Sequence, residues 1–213
     1  MSLIGKAVYG YVAKRRQQIY NSNRKRLKNE TPTIIANNCF GTLVYHDLGL
    51  RFLSPMINLF MQKDEYLIFL SNMKEYLDCE MTEVTDSGRS YPVGELVYQG
   101  KSVRIFGMHY KSFSELKEKW DERKTRMDYE NIFIVLTALS FTEADAEVFD
   151  SLEYENKLVI TGTSEVKRPY VVRKGVLRKK NYDIGRFVQY NGRFSVKKPM
   201  DRVDYVKFLN KGK

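Results

Sequence analysis

The chain has 213 residues, 43% of them hydrophobic and 29% charged, which supports one sizeable packed core and excludes global disorder. Its longest apolar runs, such as residues 132–136, fall far short of the roughly 20 needed to cross a bilayer. The net charge of +10 is uneven: residues 1–30 carry eight Lys/Arg against one Glu, residues 31–164 carry 13 against 21, and residues 165–213 carry 15 against four. Basic ends around an acidic middle suit an anionic partner, such as a membrane surface or a phosphorylated substrate, or serve as solvated faces. Nucleic acid is not expected among the partners. The amino terminus shows no apolar segment before a small-residue cleavage site, and Cys39 and Cys79 build no disulfide framework. A reducing, cytoplasmic setting is therefore expected.

Three units follow from these shifts: a basic amphipathic helix within 1–30, an α/β core over 31–164, and a basic extension over 165–213 packed on that core. In the first, Ile4, Val8, Tyr11, Val12, Ile19 and Leu27 share one face of a helix over 3–28, with Lys14, Arg15, Arg16, Arg24, Lys25 and Arg26 on the rest. Such a helix either packs through its apolar stripe or lies on an anionic membrane. Pro32 breaks the chain, and Thr33-Ile34-Ile35-Ala36 reads as a buried strand. Asn37 or Asn38 is placed to cap the next helix, which Gly49 ends in a left-handed conformation. Residues 50–53 read as a short strand, Ser54-Pro55 as an N-cap with proline in the first turn that starts the stretch 56–61, and Asp64 as the start of a helix through Leu77.

Strands are expected over 80–85, 91–98 and 102–106. A helix over 112–127, with Ser114 as a possible cap, follows His109-Tyr110. Residues 131–137 form the most hydrophobic strand, and Thr142 with Asp145 opens a helix to Leu152 as an acidic capping box. Residues 157–161 are a further strand. In the extension, residues 170–172 and 176–177 are short and basic, Tyr190-Asn191-Gly192-Arg193 signals a hairpin within 187–195, and residues 203–209 read as a closing helix. Apolar strands alternating with amphipathic helices predict an α/β fold. The expectation is a three-layer, mostly parallel or mixed sheet with helices on both faces and a small C-terminal hairpin region.

Ligands of open α/β sheets bind beyond the carboxyl ends of strands. Asn37-Asn38-Cys39, His109-Tyr110 and Thr161-Gly162-Thr163 all fall at such ends. A cysteine at a helix N-terminus has its thiol pKa lowered by the helix dipole and free amides. Cys39 then reads as a nucleophile with His109 as its base, and Asn37 and Asn38 as oxyanion donors. The plainer reading of Cys39 is a core residue serving the fold. His46 lies seven residues after Cys39 on one helix, too far along it to act as base, and with Asp47 suits a surface or helix-end role. The two histidines and two cysteines match no zinc spacing, and no Walker A loop, GxGxxG or GxSxG occurs.

The run Ile35-Ala36-Asn37-Asn38-Cys39-Phe40-Gly41, then Tyr45-His46-Asp47-Leu48-Gly49 and Phe52-Leu53-Ser54-Pro55-Met56-Ile57-Asn58-Leu59-Phe60, resembles a bacterial family, domain of unknown function nineteen-nineteen. Tyr91-Pro92-Val93-Gly94, His109-Tyr110 and Asn131-Ile132-Phe133-Ile134 agree with it more loosely. The family carries the label exopolysaccharide biosynthesis protein, so the resemblance implies a surface-polysaccharide pathway; the expected location is cytoplasmic, with peripheral contact at the inner face of the membrane as an option. It brings no established catalytic residues. The expected function is a sugar-modifying acyltransferase with Cys39 and His109 catalytic, acyl-CoA as candidate donor, and Asn37, Asn38, Ser54 and Tyr110 contacting a carbohydrate or sugar-phosphate. One alternative is a sugar-nucleotide or glycan-phosphate transferase holding phosphate through Arg173 and Lys174, with Arg178 and Lys179 beside them. The other is a non-catalytic scaffold docked on the membrane by the first helix.

Overall fold

The computed structural model describes residues 3–85, 88–173, 185–190 and 195–212. In chain order, α1 (Leu3–Arg26) precedes β1 (Thr33–Ala36), α2 (Phe40–Leu48), α3 (Lys63–Ser71) and α4 (Met73–Asp78). Then come β2 (Thr82–Glu83), β3 (Val93–Tyr98), β4 (Lys101–Phe106), α5 (Phe113–Lys124), β5 (Ile132–Ser140), α6 (Glu143–Ser151) and β6 (Asn156–Thr163). The described chain closes with β7 (Val171–Arg173), α7 (Gly185–Val188) and α8 (Tyr205–Leu209), with a 3-10 turn at Pro199–Arg202 before the last.

Four strands form a parallel sheet in the order β1-β5-β6-β7. The near-continuous apolar sequences of β1 and β5 follow from burial on both faces. Side-chain alternation divides them: Ile35, Ile134, Leu136 and Val159 face one core with α3 to α6, while Ile34, Ala36, Phe133, Val135 and Ile160 face another with α2 and α8. The three layers predicted from the sequence are thus present. Strands β2, β3 and β4 form a separate antiparallel sheet, its β3–β4 hairpin closed by Gln99 and Gly100, both at positive φ, as a tight primed turn requires.

Several local expectations change. Residues 50–53 form no strand; Leu50, Phe52 and Leu53 instead cover the second core, and the Phe52 ring meets Tyr45 edge-on at 5.7 Å. The helix expected from Asp64 to Leu77 breaks at Asn72, and pairing over 80–85 contracts to Thr82–Glu83. Ser112 caps α5, its hydroxyl accepting from the Glu115 amide. Phe187 and Val188 are helical, stacked through Phe187 on Phe40 at 6.3 Å, so a hairpin beginning at 187 is excluded. Residues 191–194 and 176–177 lie outside the described residues.

The largest correction concerns α1. It docks through Arg16, Ile19, Tyr20, Asn23 and Leu27, while Tyr9 and Tyr11 are 64% and 61% exposed. Arg16, assigned from the sequence to the polar face, is buried: it donates to Asp47 at 2.8 Å and to both Asp201 oxygens at 2.5 and 3.0 Å. Its guanidinium lies 4.6 Å from the Tyr20 ring centroid and 5.8 Å from that of Tyr190. Asp47, expected at a helix end on the surface, is fully buried for the same reason. Asn23 adds a bond to the Tyr205 hydroxyl at 2.9 Å.

Thr142 and Asp145 form the expected capping box, and Lys63 clamps both Asp145 oxygens at 2.8 and 2.7 Å, tying α3 to α6. Burial opposes the Asp145 charge, but Lys63 and Thr142 outweigh it and hold the carboxyl below its usual range. A depressed folded-state pKa gives stability that is full above the unfolded value of about 3.9 and lost as pH falls through the folded value. The Tm difference between the wild type and Asp145→Asn is therefore expected to be level from about pH 5 to 8 and to close toward pH 2.5. Thermal melts across that range check this; an undiminished difference at pH 2.5 refutes it.

Candidate functional site

The chain leaves β1 through Asn37, whose side chain carries the ladder one step further. Its Oδ1 accepts from the Thr137 amide at 2.8 Å and its Nδ2 donates to the Thr137 carbonyl at 3.1 Å. Asn38 then turns the chain, its Oδ1 accepting from the Phe40 amide at 3.0 Å. Cys39 is the N-cap of α2 and makes no side-chain capping bond. Gly41 lets the helix rest on the strand: a Cβ there would lie 3.2 Å from Ile34 Cγ2 and 3.3 Å from Ala36 Cβ. The first bond of the helix runs from the Leu43 amide to the Cys39 carbonyl, so the Gly41 and Thr42 amides belong to the first turn, ahead of the helix's own bonds.

A second wall comes from the antiparallel sheet. Phe60 and Phe106 exchange backbone bonds of 3.0 and 2.8 Å, stitching the end of β4 to the segment after α2. The Gly107 amide donates to Pro92, and the Tyr110 amide returns to Gly107, both at 2.9 Å, giving a turn that presents Met108 and His109. Gly107 has no space for a side chain: a Cβ would meet Leu116 Cδ1 at 2.4 Å and the Pro92 carbonyl at 3.2 Å. Tyr110 points inward and anchors the turn, donating to Ile57 at 2.8 Å and accepting from Arg123 at 2.6 Å.

Between the walls lies a cavity of about 830 Å³, at the carboxyl ends of β1 and β5. Asn38, Cys39, Thr42 and Leu43 line it from the start of α2, and Asn58, Phe60 and Gln62 from the following segment. Phe106, Met108 and His109 come from the end of β4, with Arg89 and Tyr91 beside them. Leu139 of β5 and Gly185, Val188 and Gln189 around α7 complete it. Asn58 adopts a left-handed φ of 59°, rare outside glycine, and donates from its amide to Thr42 Oγ1 at 2.8 Å.

Two polar groups here are unusual. Asn38 is 7% exposed, and its buried Nδ2 has no partner among the described residues. Cys39 is a free cysteine whose thiol is pushed up by burial, the reverse of the lowering expected from the helix dipole. The thiol therefore stays protonated at neutral pH, and its use as a nucleophile requires a base.

Of the residues singled out from the sequence, Asn38, Cys39 and His109 line this one cavity. Asn37, Ser54, Tyr110 and Arg173 are outside its lining. Asn37 is committed to Thr137, and Ser54 is fully buried with its hydroxyl accepting from the Met56 amide. Arg173 donates to the Val166 carbonyl at 3.0 Å on β7, and Lys174 lies outside the described residues. Exposed His46 sits in the last turn of α2, away from Cys39. Sequence reasoning missed Thr42, Asn58, Gln62 and Arg89. Thr42, three residues after Cys39 on α2, was recoverable from helical spacing; the others sit on irregular segments with no periodic signal. Among the described residues no group of three or more His, Cys, Asp or Glu is placed to hold a metal ion, and no helix is long and apolar enough to cross a membrane.

A protein of Haemophilus influenzae, carrying the name "Uncharacterized protein", is 35% identical to this chain over 192 residues, 88% of each sequence. The family model "Domain of unknown function (DUF1919)" matches residues 11–210, which include every residue that lines the cavity. The chain is a member of the DUF1919 family.

Proposed function

We propose that this protein is a transferase that moves an acyl group onto a carbohydrate during assembly of a bacterial surface polysaccharide. The observation that supports this most is that Asn38, Cys39 and His109 line one cavity of ligand size, and that the buried Nδ2 of Asn38 has no partner among the described residues. His109 takes the Cys39 proton as the sulfur attacks the carbonyl carbon of an acyl thioester, acyl-CoA being the candidate donor. The oxyanion is received by Asn38 Nδ2 and the amides in the first turn of α2. The C–S bond to the donor breaks, and the leaving thiolate takes the proton from His109. A sugar hydroxyl then attacks the acyl-cysteine, giving its proton to His109, and the Cys39 thiolate departs and is reprotonated.

The test incubates the purified full chain with acyl-CoA and mono- and oligosaccharide acceptors, reading products and acyl-enzyme by mass spectrometry. Wild type is expected to give a Cys39 adduct and an acylated sugar, and Cys39→Ala neither. Equal product from both proteins overturns the assignment.

The exposed Tyr9 and Tyr11, on a helix that also displays Lys14 and Arg15, support a second reading in which α1 holds the protein on an anionic membrane. The wild type is expected to sediment with vesicles rich in anionic lipid, and a Tyr9→Ser, Tyr11→Ser variant to stay largely in solution. Equal sedimentation of the two proteins excludes these residues as the anchor.

A further inference from the structure

We infer that the acyl group this cavity takes is an extended aliphatic chain rather than a short group such as acetyl. The inference rests on the acyl-transfer reading and adds the class of substrate to it. Large apolar side chains left in water need a reason when they cluster. Among the described residues, Tyr9, Tyr11, Val97, Tyr129, Val148 and Tyr190 are exposed outside the cavity lining, whereas Met108 at 46% and Leu139 at 44% both belong to it. They arrive from different sheets, Met108 from the turn after β4 and Leu139 from the carboxyl end of β5. Their convergence is therefore a product of the tertiary fold and not of one apolar run.

Leu43, Phe60, Phe106 and Val188 extend this apolar lining. The polar end is set by Asn38, whose buried Nδ2 lacks a partner among the described residues, and by the first turn of the nine-residue α2, whose amides suit a carbonyl or carboxylate oxygen. A head group seated there faces Cys39, and a chain running from it covers the apolar lining. An acetyl group would occupy a small part of about 830 Å³ and leave that lining wet. Each methylene that enters is expected to tighten binding about fourfold.

The experiment titrates acetate, octanoate and dodecanoate into the purified full chain by calorimetry, using wild type, Leu139→Glu and Val148→Glu. Leu139 and Val148 are both exposed, so neither charge enters a core, and thermal melts confirm folding. Acetate is expected to give no heat of binding, and dodecanoate to bind more than tenfold tighter than octanoate. Leu139→Glu should weaken dodecanoate at least tenfold, while Val148→Glu matches wild type. Equal affinity for the three acids, no binding of dodecanoate, or equal losses in Leu139→Glu and Val148→Glu overturns the inference. The two readings fail separately. Transfer from acetyl-CoA without dodecanoate binding removes the chain and keeps the transferase. Binding as expected with no transfer from any acyl-CoA removes the transferase and keeps the chain site.

Discussion

Replacing Arg16 with alanine is expected to destabilise the protein by about 3–5 kcal/mol, the usual cost of stranding the partner of a buried ion pair. Asp47 is fully buried, and Arg16 is its nearer cation at 2.8 Å; Lys198 stands at 3.5 Å. Burial alone would weaken the Arg16 charge, but Asp201 and Asp47 reverse this and hold it more firmly than in water. Without the guanidinium, Asp47 keeps a single long contact and Asp201 loses two bonds that tie the C-terminal segment to α1. Urea unfolding followed by circular dichroism measures the loss. The double replacement Arg16→Met, Asp47→Leu is expected to recover only the share due to stranded Asp47, since Asp201 still lacks its two bonds and Lys198 then loses its own carboxylate. A loss below about 1 kcal/mol in the single variant would show that water or Lys198 already satisfies Asp47.

Loss of the base is expected to matter as much for turnover as loss of Arg16 does for folding. His109→Ala should lower kcat by about 10²–10⁴-fold, the range for a positioned general acid–base group. Because burial keeps the Cys39 thiol protonated, little reactive thiolate exists at neutral pH without help. The prediction is sharper for that reason: a cysteine with a depressed pKa would tolerate loss of its base. In His109→Ala the rate should climb with pH as hydroxide takes over deprotonation, while wild type levels off. His109 is exposed on a turn anchored by Tyr110, so the variant should melt as wild type does. A fall in kcat of less than about tenfold, with no change in the pH profile, excludes His109 as the base.

How much of this was readable from the sequence depends on the range of each interaction. Gly49, with its φ of 69°, and the Thr142–Asp145 box are decided within a few residues, and both were legible. The strands β1 and β5 announced themselves by apolar runs too dense for one buried face. Cys39 and His109 were picked out because strand ends face ligands, and both do line the cavity. Arg16 was misread because its acidic partners stand 31 and 185 residues away, and nothing local separates a buried arginine from a solvated one. The Cys39 pKa was misjudged in sign for a related reason. A helix terminus is visible in the sequence, whereas the burial that overrides it comes from tertiary packing. The loss of strand over 50–53 is also tertiary, since Leu50, Phe52 and Leu53 pack on the second core instead of pairing.

Asn37 has a consequence for the cavity beside it. A chain that leaves a buried strand abandons a donor and an acceptor on its neighbour, and the neighbour would ordinarily be held by whatever loop happened to pass. Here an amide side chain imitates the missing peptide group for Thr137 while the main chain is already departing. The sheet therefore ends without a loose rung, and the turn that carries Asn38 and Cys39 is bolted to β5 two residues before the thiol. The floor of the cavity inherits the stiffness of the sheet, although none of the residues exposed in it belongs to β1.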